Sequence, residues 1–545
     1  MIQTFLATLL VCLVTVGVSA EDQRDFRPVV GLRENPPTDF LLNDAVLVRG
    51  PEFYAESGSG GPAEPALVGD VLVRQGVIVD VGPSIEPPPG CRLIDCEGKS
   101  LYAGWINAWH EVSSDDLATP TKVDDYWNAN IAPNRTVSQI DEVPQAAKLR
   151  SQGFTTSVLA PPGRILGGRP SVWSLNEKDV SHPGPQRVTD TEWMATAMTV
   201  PRPNDAGETY PRSPMGAYAL LRQTLHDAKW YVDAVAAYEA KTTLPRPNFS
   251  ATLSALASDL AESVFVFDCP NERMVLRGQR IAEEFSIRGL IRGSGREYRD
   301  LDGVALAADM ILLPLDFPSK PNVATPQHAR EVELRELLHF NFAPSNPAKL
   351  VERGVSVCLT TDRLEDLGDF LPNLRKAVDH GLSRRDAVAS LTTVPAKLLG
   401  IDQTFGRIER GMQANLVLTD GDVFERKSKI TAVFVAGQEF ELVKDTSAPW
   451  ENVVGSWELP KTKKSKLSAQ LDIQQKQGRV SVQFVVSKDP PSKKKGKKKS
   501  KQTKTSKANS GDDDKAGKAD FVEMVQQSEQ IAGLVNFGDL SLIHI

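Results

Sequence analysis

Apolar and polar positions alternate in three short runs early in the chain: FLLNDAVLVRG at 40–50, GDVLVRQGVIVDVG at 69–82 and CRLIDCEGKSLYAG at 91–104. A period of two gives an extended strand two distinct faces, and the Gly and Asp positions within and between the runs favour turns. The pattern therefore predicts a small antiparallel unit. The loop SGSGGPAEP separates the first two runs. Its glycines follow no strand leading into a helix, which argues against a phosphate cradle.

From residue 101 the periodicity changes. Strand-like runs LYAGWINAW (101–109), GFTTSVLAP (153–161), SVFVFDC (263–269), RGLIRG (288–293), DMILLPLDF (309–317) and GVSVCLTTD (354–362) follow one another, several separated by helical patterns. Short apolar strands alternating with helices predict parallel β/α units. The clearest helix opens at Ser213-Pro214, a cap followed by a first-turn proline. It carries Ala217, Leu220, Leu221, Leu225, Ala228, Val232 and Val235 at helical spacing, with His226 beside the stripe as a surface position. A second opens with the capping pattern Ser383-Arg384-Arg385-Asp386 and stops at Gly400. FGRIERGMQANLVLTDGD (405–422) and ITAVFVAGQEFELV (430–443) then return to strands, so the order is β, β/α, β.

The two ends of the chain read differently from its centre. Residues 5–18, FLATLLVCLVTVGV, are too short an apolar run to span a bilayer comfortably and lead into Val18-Ser19-Ala20, the small residues of a signal-peptidase site. Residues 1–20 are thus expected to be a signal peptide cleaved after Ala20, the chain exported to a periplasmic or secreted location, and no membrane span to remain. At the other end, residues 488–520 form a low-complexity segment, KKKGKKKSKQTKTSK followed by SGDDDKAGKAD. Such a segment cannot bury enough apolar surface to fold. It interrupts a partial β module at 452–545 that includes the hairpin-like run SAQLDIQQKQGRVSVQFVVS (468–487) and stops in GLVNFGDLSLIHI, the expectation being an incomplete gene product.

A net charge of −7 over 545 residues argues against a general nucleic-acid binder, and the lysine cluster has no interleaved aromatics on which bases could stack. Cys12 leaves with the signal, so the remaining cysteines are too few for a disulfide scaffold. Cys91 and Cys96 would point to opposite faces of a strand, and Cys269 and Cys358 lie in apolar runs as core thiols. Asn134-Arg135-Thr136 and Asn248-Phe249-Ser250 fit glycosylation sequons.

Three stretches resemble the metal-dependent amidohydrolase superfamily. LIDCEGKSLYAGWINAWHE (93–111) is similar to the entry into its first barrel strand, GVSVCLTTDR (354–363) to the eighth strand with its catalytic Asp, and LTTVPAKLLGIDQTFGRIERGMQANLVLTDGD (391–422) to the closing segment. GFTTSVLAPPGRILGGRPSVW (153–173) and YPRSPMGAYALLRQTLHDA (210–228) resemble the imidazolonepropionase-like subgroup. The resemblance implies an α/β fold: a TIM-type (β/α)8 barrel over 101–400, flanked by a small composite β-sandwich from 40–100 and 404–443, plus the partial C-terminal module. It also implies hydrolysis of non-peptide C–N bonds with a divalent metal such as zinc, which activates water and polarises the carbonyl while an Asp moves the proton.

The ligand positions depart from that pattern. Where the family has His-x-His, this chain has Trp109-His110-Glu111; alternation points Trp109 and Glu111 to the barrel mouth and His110 away. Strand five ends with Asp268 and Cys269, strand six with Ser294, neither with a histidine, and no strand-four lysine or glutamate is found. Of the implied ligand set only Asp362 stands, as the catalytic candidate, and one carboxylate cannot hold a zinc that needs three protein ligands. Glu111, Asp268, Asp316 and Asp362 are the weak candidates for a rebuilt oxygen-ligand metal site. Set against this is a reading in which Trp109 fills the metal space and Asp362 bonds local backbone. His182 in a loop, His328 and His339 on a helix after Thr325-Pro326, and His380 at a helix end supply no ligand. Ser294 and Cys269 lack a base that would make them nucleophiles.

The reading is therefore an exported amidohydrolase-type chain, catalytically silent, with no metal cofactor expected on purification. Its rivals are a hydrolase with a remodelled carboxylate site, and a barrel that binds a small-molecule ligand or supports a second amidohydrolase domain.

Overall fold

The structure is a computed structural model that describes residues 39–54, 68–117, 124–137, 140, 142–178, 186–199 and 210–443, and the strands within 455–536. The signal segment, the 57–65 loop, His182, the lysine-rich stretch 489–519 and the chain end fall outside the described residues. The chain divides into two units, 1–443 and 444–545.

The first strands are β1 (Phe40–Val48), β2 (Val68–Arg74), β3 (Val77–Gly82), β4 (Arg92–Asp95) and β5 (Ser100–Ala103). The barrel region carries β6 (Trp105–Glu111), β7 (Phe154–Ala160), β8 (Leu166–Gly168), β9 (Ser171–Ser174), β10 (Arg187–Asp190), β11 (Trp193–Ala197), β12 (Val264–Asp268), β13 (Arg288–Arg292), β14 (Met310–Pro314) and β15 (Ser356–Thr360). Then follow β16 (Leu416–Thr419), β17 (Ile430–Val435) and β18 (Gln438–Glu441).

Strands from both ends of the first unit share one eight-stranded sheet, ordered β18-β17-β16-β5-β1-β2-β3 with β4 beside β1. The join is an antiparallel ladder between β5 and β16, from Ser100 opposite Thr419 to Ala103 opposite Leu416. Alternation sorts the sheet's side chains. Leu101, Ala103, Leu416, Leu418 and Phe434 enter a core of the sheet's own, while Tyr102, Val417, Val433 and Val435 join the core shared with the barrel's outer layer. The two ends of this strand order approach one another. Ile78 N donates to Met412 O and Ala414 N to Gly76 O, and Gly76 and Gly437 meet so closely that a Cβ on either would strike backbone.

One residue, Gly104, separates β5 from β6. A Cβ there would lie 2.4 Å from Thr155 Oγ1, so only glycine lets the chain step from sheet to barrel beside β7. The continuous strand expected at 101–109 is accordingly two strands serving two layers.

In the barrel region, β6 and β7 run parallel, as do β11 to β15 in order. These belong to two sheets rather than one closed ladder. On one side, residues 166–174 cross between the sheets: β8 pairs with β11 and β9 with β7, both antiparallel. On the other, β6 and β15 are the terminal strands of their sheets. Both sheets nonetheless contribute to one interior cluster, with Ile106, Ala108 and Trp109 from β6, Val158 from β7, Ala195 from β11, and Val266, Leu290, Leu312 and Cys358 from β12 to β15.

Helices cover the outside as the sequence caps them. Ser213 Oγ accepts from Gly216 N at the head of Pro214–Ala240, and Ser383 caps Arg384–Leu391. The second helix does not run to Gly400: it breaks at Thr392 and restarts as Thr393–Leu398. Pro395 has no N–H to give Leu391, which interrupts the ladder. Among the described residues no helix is long and apolar enough to cross a membrane, and Cys91, Cys96, Cys269 and Cys358 are free thiols.

In the second unit, Gly455–Leu459, Leu467–Lys476 and Arg479–Lys488 form an antiparallel three-stranded sheet, and Asp520–Gln527 pairs with Gln530–Asn536.

Candidate functional site

Strand alternation carries the interior face of the barrel upward to its C-terminal mouth, where β/α barrels place their chemistry. Val266 is followed two residues later by Asp268, Leu290 by Arg292, and Cys358, two steps on, by Asp362. On β6 the phase is not so simple. Asn107 pairs with Ser157 and His110 with Leu159, so Ala108 and Trp109 together oppose Val158 in a β-bulge. Counting strictly from Ile106 and Ala108 would bring His110 inward. The extra residue resets the phase, placing Trp109 in the interior cluster and Glu111 at the mouth, while His110 lies beside Leu159 of the outer core.

At the centre of the mouth is Arg292, which the sequence reading did not single out. Its Nε donates to Asp362 Oδ2 and its Nη2 to Asp362 Oδ1, both at 2.7 Å, and its Nη1 donates to Glu111 Oε1 at 2.6 Å. The guanidinium carbon lies 5.1 Å from the centre of the Trp109 ring. The Arg292 and Asp362 side chains are 8% and 6% exposed, so the pair is almost wholly withdrawn from water. Burial works against the Arg292 charge, but Asp362, Glu111 and Asp268 outweigh it and hold the guanidinium above its ordinary value. For Asp362, burial pushes the carboxyl up, yet Arg292 and then Arg363 bring it below the usual carboxylate range.

A second arginine completes the network. Arg363, at φ 63° in the left-handed region, ion-pairs with Asp268, donates from Nε to Gly293 O at 3.3 Å, and lies 3.5 Å from Asp362. Asp316 stands further out, its carboxyl raised mainly by partial burial against the pull of Arg363 and Arg296. All four carboxylates picked from sequence therefore reach the same end of the barrel. Asp362, Glu111 and Asp268 are committed to guanidinium groups, and among the described residues no three His, Cys, Asp or Glu side chains converge as a metal site. The donor set does not fit a divalent ion: both Asp362 oxygens accept from a resident cation whose charge repels one, and among the described residues no imidazole joins these carboxylates in a metal-binding cluster. Asp362 does not serve mainly as a local backbone acceptor, as expected from sequence. Its principal partner comes from another strand.

Among the described residues, the side chains of the other candidates make no hydrogen bond to this network. Cys269 is fully buried with its thiol raised by burial, and Ser294 Oγ bonds Glu297 at 3.2 Å, so neither is a poised nucleophile. His339 stacks on Tyr298 and its Nδ1 lies 3.1 Å from the phenol oxygen. His380 Nδ1 lies 2.7 Å from Lys376 O, His226 is exposed near Glu284, and His328 is exposed on the short helix Pro326–Glu331.

Comparison with known proteins agrees with this architecture. Residues 294–440 match the Amidohydrolase family model, a span that holds the last strands of the barrel, Asp362 and the returning sheet strands. The chain is similar to the amidohydrolase tasK of Hapsidospora irregularis, at 22% identity over 424 residues, 70% of this chain and 41% of that protein; it thus spans about two fifths of that relative's length. The fold is similar to that of an amidohydrolase from Thermotoga maritima MSB8, with a TM-score of 0.56 at 21% identity, covering 74% of this chain and all of the other.

Proposed function

We propose that this chain is an exported, catalytically silent amidohydrolase-type barrel that does not carry out metal-dependent C–N hydrolysis and acts through a small-molecule ligand or a second amidohydrolase unit. The observation that carries this reading is the bidentate grip of Arg292 on Asp362. A carboxylate that must move a proton or share a metal is hindered by a permanent cation beside it, and here both oxygens accept from one, which lowers the group's basicity and repels a second cation. Breaking that pair to free Asp362 would strand a buried charge, so the arrangement opposes the chemistry as well as lacking its ligands.

The test uses the full chain purified from zinc-supplemented cells. Elemental analysis is expected to find far less than one divalent ion per chain. Any trace hydrolysis of cyclic amides or N-acyl amino acids should be insensitive to chelator and unchanged in Asp362→Ala. One tightly bound ion per chain, with activity lost both on chelation and in Asp362→Ala, refutes the proposal.

A further inference from the structure

We infer that Asp362 and Glu111 form a guanidinium-binding site which the chain fills with its own Arg292, and that this tethered cation fastens the mouth end of the seam between β6 and β15. The inference rests on the reading of the mouth as a resident-cation centre, but concerns what the guanidinium does rather than whether the barrel hydrolyses anything.

Three features separate this from an ordinary ion pair. Each of the three Arg292 nitrogens donates to a carboxylate oxygen at 2.6–2.7 Å, so the planar fork is matched at every nitrogen. The guanidinium carbon sits over the Trp109 ring, 5.1 Å from its centre. The carboxylates come from two sides of a seam, Glu111 closing β6 and Asp362 following β15, and those strands terminate different sheets. Across the same seam, Asn107 Nδ2 donates to Thr361 Oγ1 at 2.8 Å and Thr361 N to Asn107 Oδ1 at 3.2 Å. Arg292 thus spans from β13 to the ends of both terminal strands at once, and among the described residues no backbone ladder joins those two strands. Shape sets the ligand class: a flat cation with several in-plane donors satisfies the cradle, whereas an ammonium offers a point charge.

The experiment removes the side chain and supplies its head group. Arg292→Ala in the full chain should show a lowered thermal midpoint that recovers most of its loss, saturably, with guanidinium chloride at about 1–10 mM, far below denaturing concentrations. Sodium and ammonium chloride at the same concentrations should not do so. Wild type, and Arg222→Ala, which breaks the surface pair with Glu284, should not respond to guanidinium. If Arg292→Ala is recovered only as aggregate, soluble yield on refolding with and without low guanidinium becomes the readout. Absence of selective guanidinium rescue in both readouts overturns the inference, as does an Arg292→Lys variant as stable as wild type, since a point charge would then suffice. Rescue by a divalent ion instead also overturns it. Each outcome is independent of wild-type metal content and activity, on which the functional proposal stands.

Discussion

The first unit is closed in two places by different means. Where the chain's early and late strands meet in the sheet, β5 and β16 are joined by a backbone ladder from Ser100–Thr419 to Ala103–Leu416. Where the barrel's end strands β6 and β15 meet, side chains of Asn107, Thr361 and Arg292 make the hydrogen bonds. A ladder draws on groups that every residue except proline possesses, so it tolerates substitution; a seam fastened by side chains depends on particular residues.

The largest expected effect is at the seam. Arg292→Ala leaves Asp362 buried without its cation and should cost about 3–5 kcal/mol in denaturant unfolding; a loss under about 1 kcal/mol would mean the seam is held elsewhere. The same pair predicts acid sensitivity. Because the folded Asp362 carboxyl lies below its unfolded value, its contribution is fully present above the ordinary aspartate range near ~3.9 and is lost as pH falls through the depressed value. Wild type should lose stability over that acid interval, and Asp362→Asn should lose less there.

Asn107→Ala comes next, at about 1–3 kcal/mol, because it strands the buried Thr361 N–H. The matched change at the ladder is Thr419→Val, which deletes the hydroxyl that bonds Ser100 O and Gly421 O but leaves the backbone pairing intact. It should cost about 0.5–1.5 kcal/mol by the same measurement. Equal losses at the two sites would erase the distinction between the closures.

The smallest effect belongs to neither seam and serves as a control. Burial, with Arg296 and Arg299, lowers His339 to about 4. Its unfolded form therefore takes up a proton first, and stability should decline as pH falls from about 6.5 towards 4, by much less than the full shift implies because the ring is half-exposed and screened by water. In His339→Gln that decline should vanish while the loss at lower pH tied to Asp362 persists.

Much of this arrangement was legible in the residues. The runs at 40–50, 263–269, 288–293 and 354–362 overlap β1, β12, β13 and β15, and the two serine caps sit where helices begin. What escaped had physical reasons. WMATA at 193–197 is buried at every position, so β11 has no alternation to read. Arg292 was readable, since it follows the interior residue Leu290 by two, but a search for lost histidines passes over an arginine. Its partners, brought from β6 and from the turn after β15, could not be found by counting along one strand.

The bulge in β6 has a consequence for insertions and deletions. Removing Ala108 would set Trp109 alone opposite Val158 and leave His110 opposite Leu159 and Glu111 opposite Ala160, so the faces and the reach of Glu111 to Arg292 would both survive. Removing Ile291 from β13, which pairs with β12 residue for residue, has no surplus to absorb it and would turn Arg292 off the interior face. The bulge thus holds slack: the same one-residue loss is absorbed in β6 and breaks the fastening in β13.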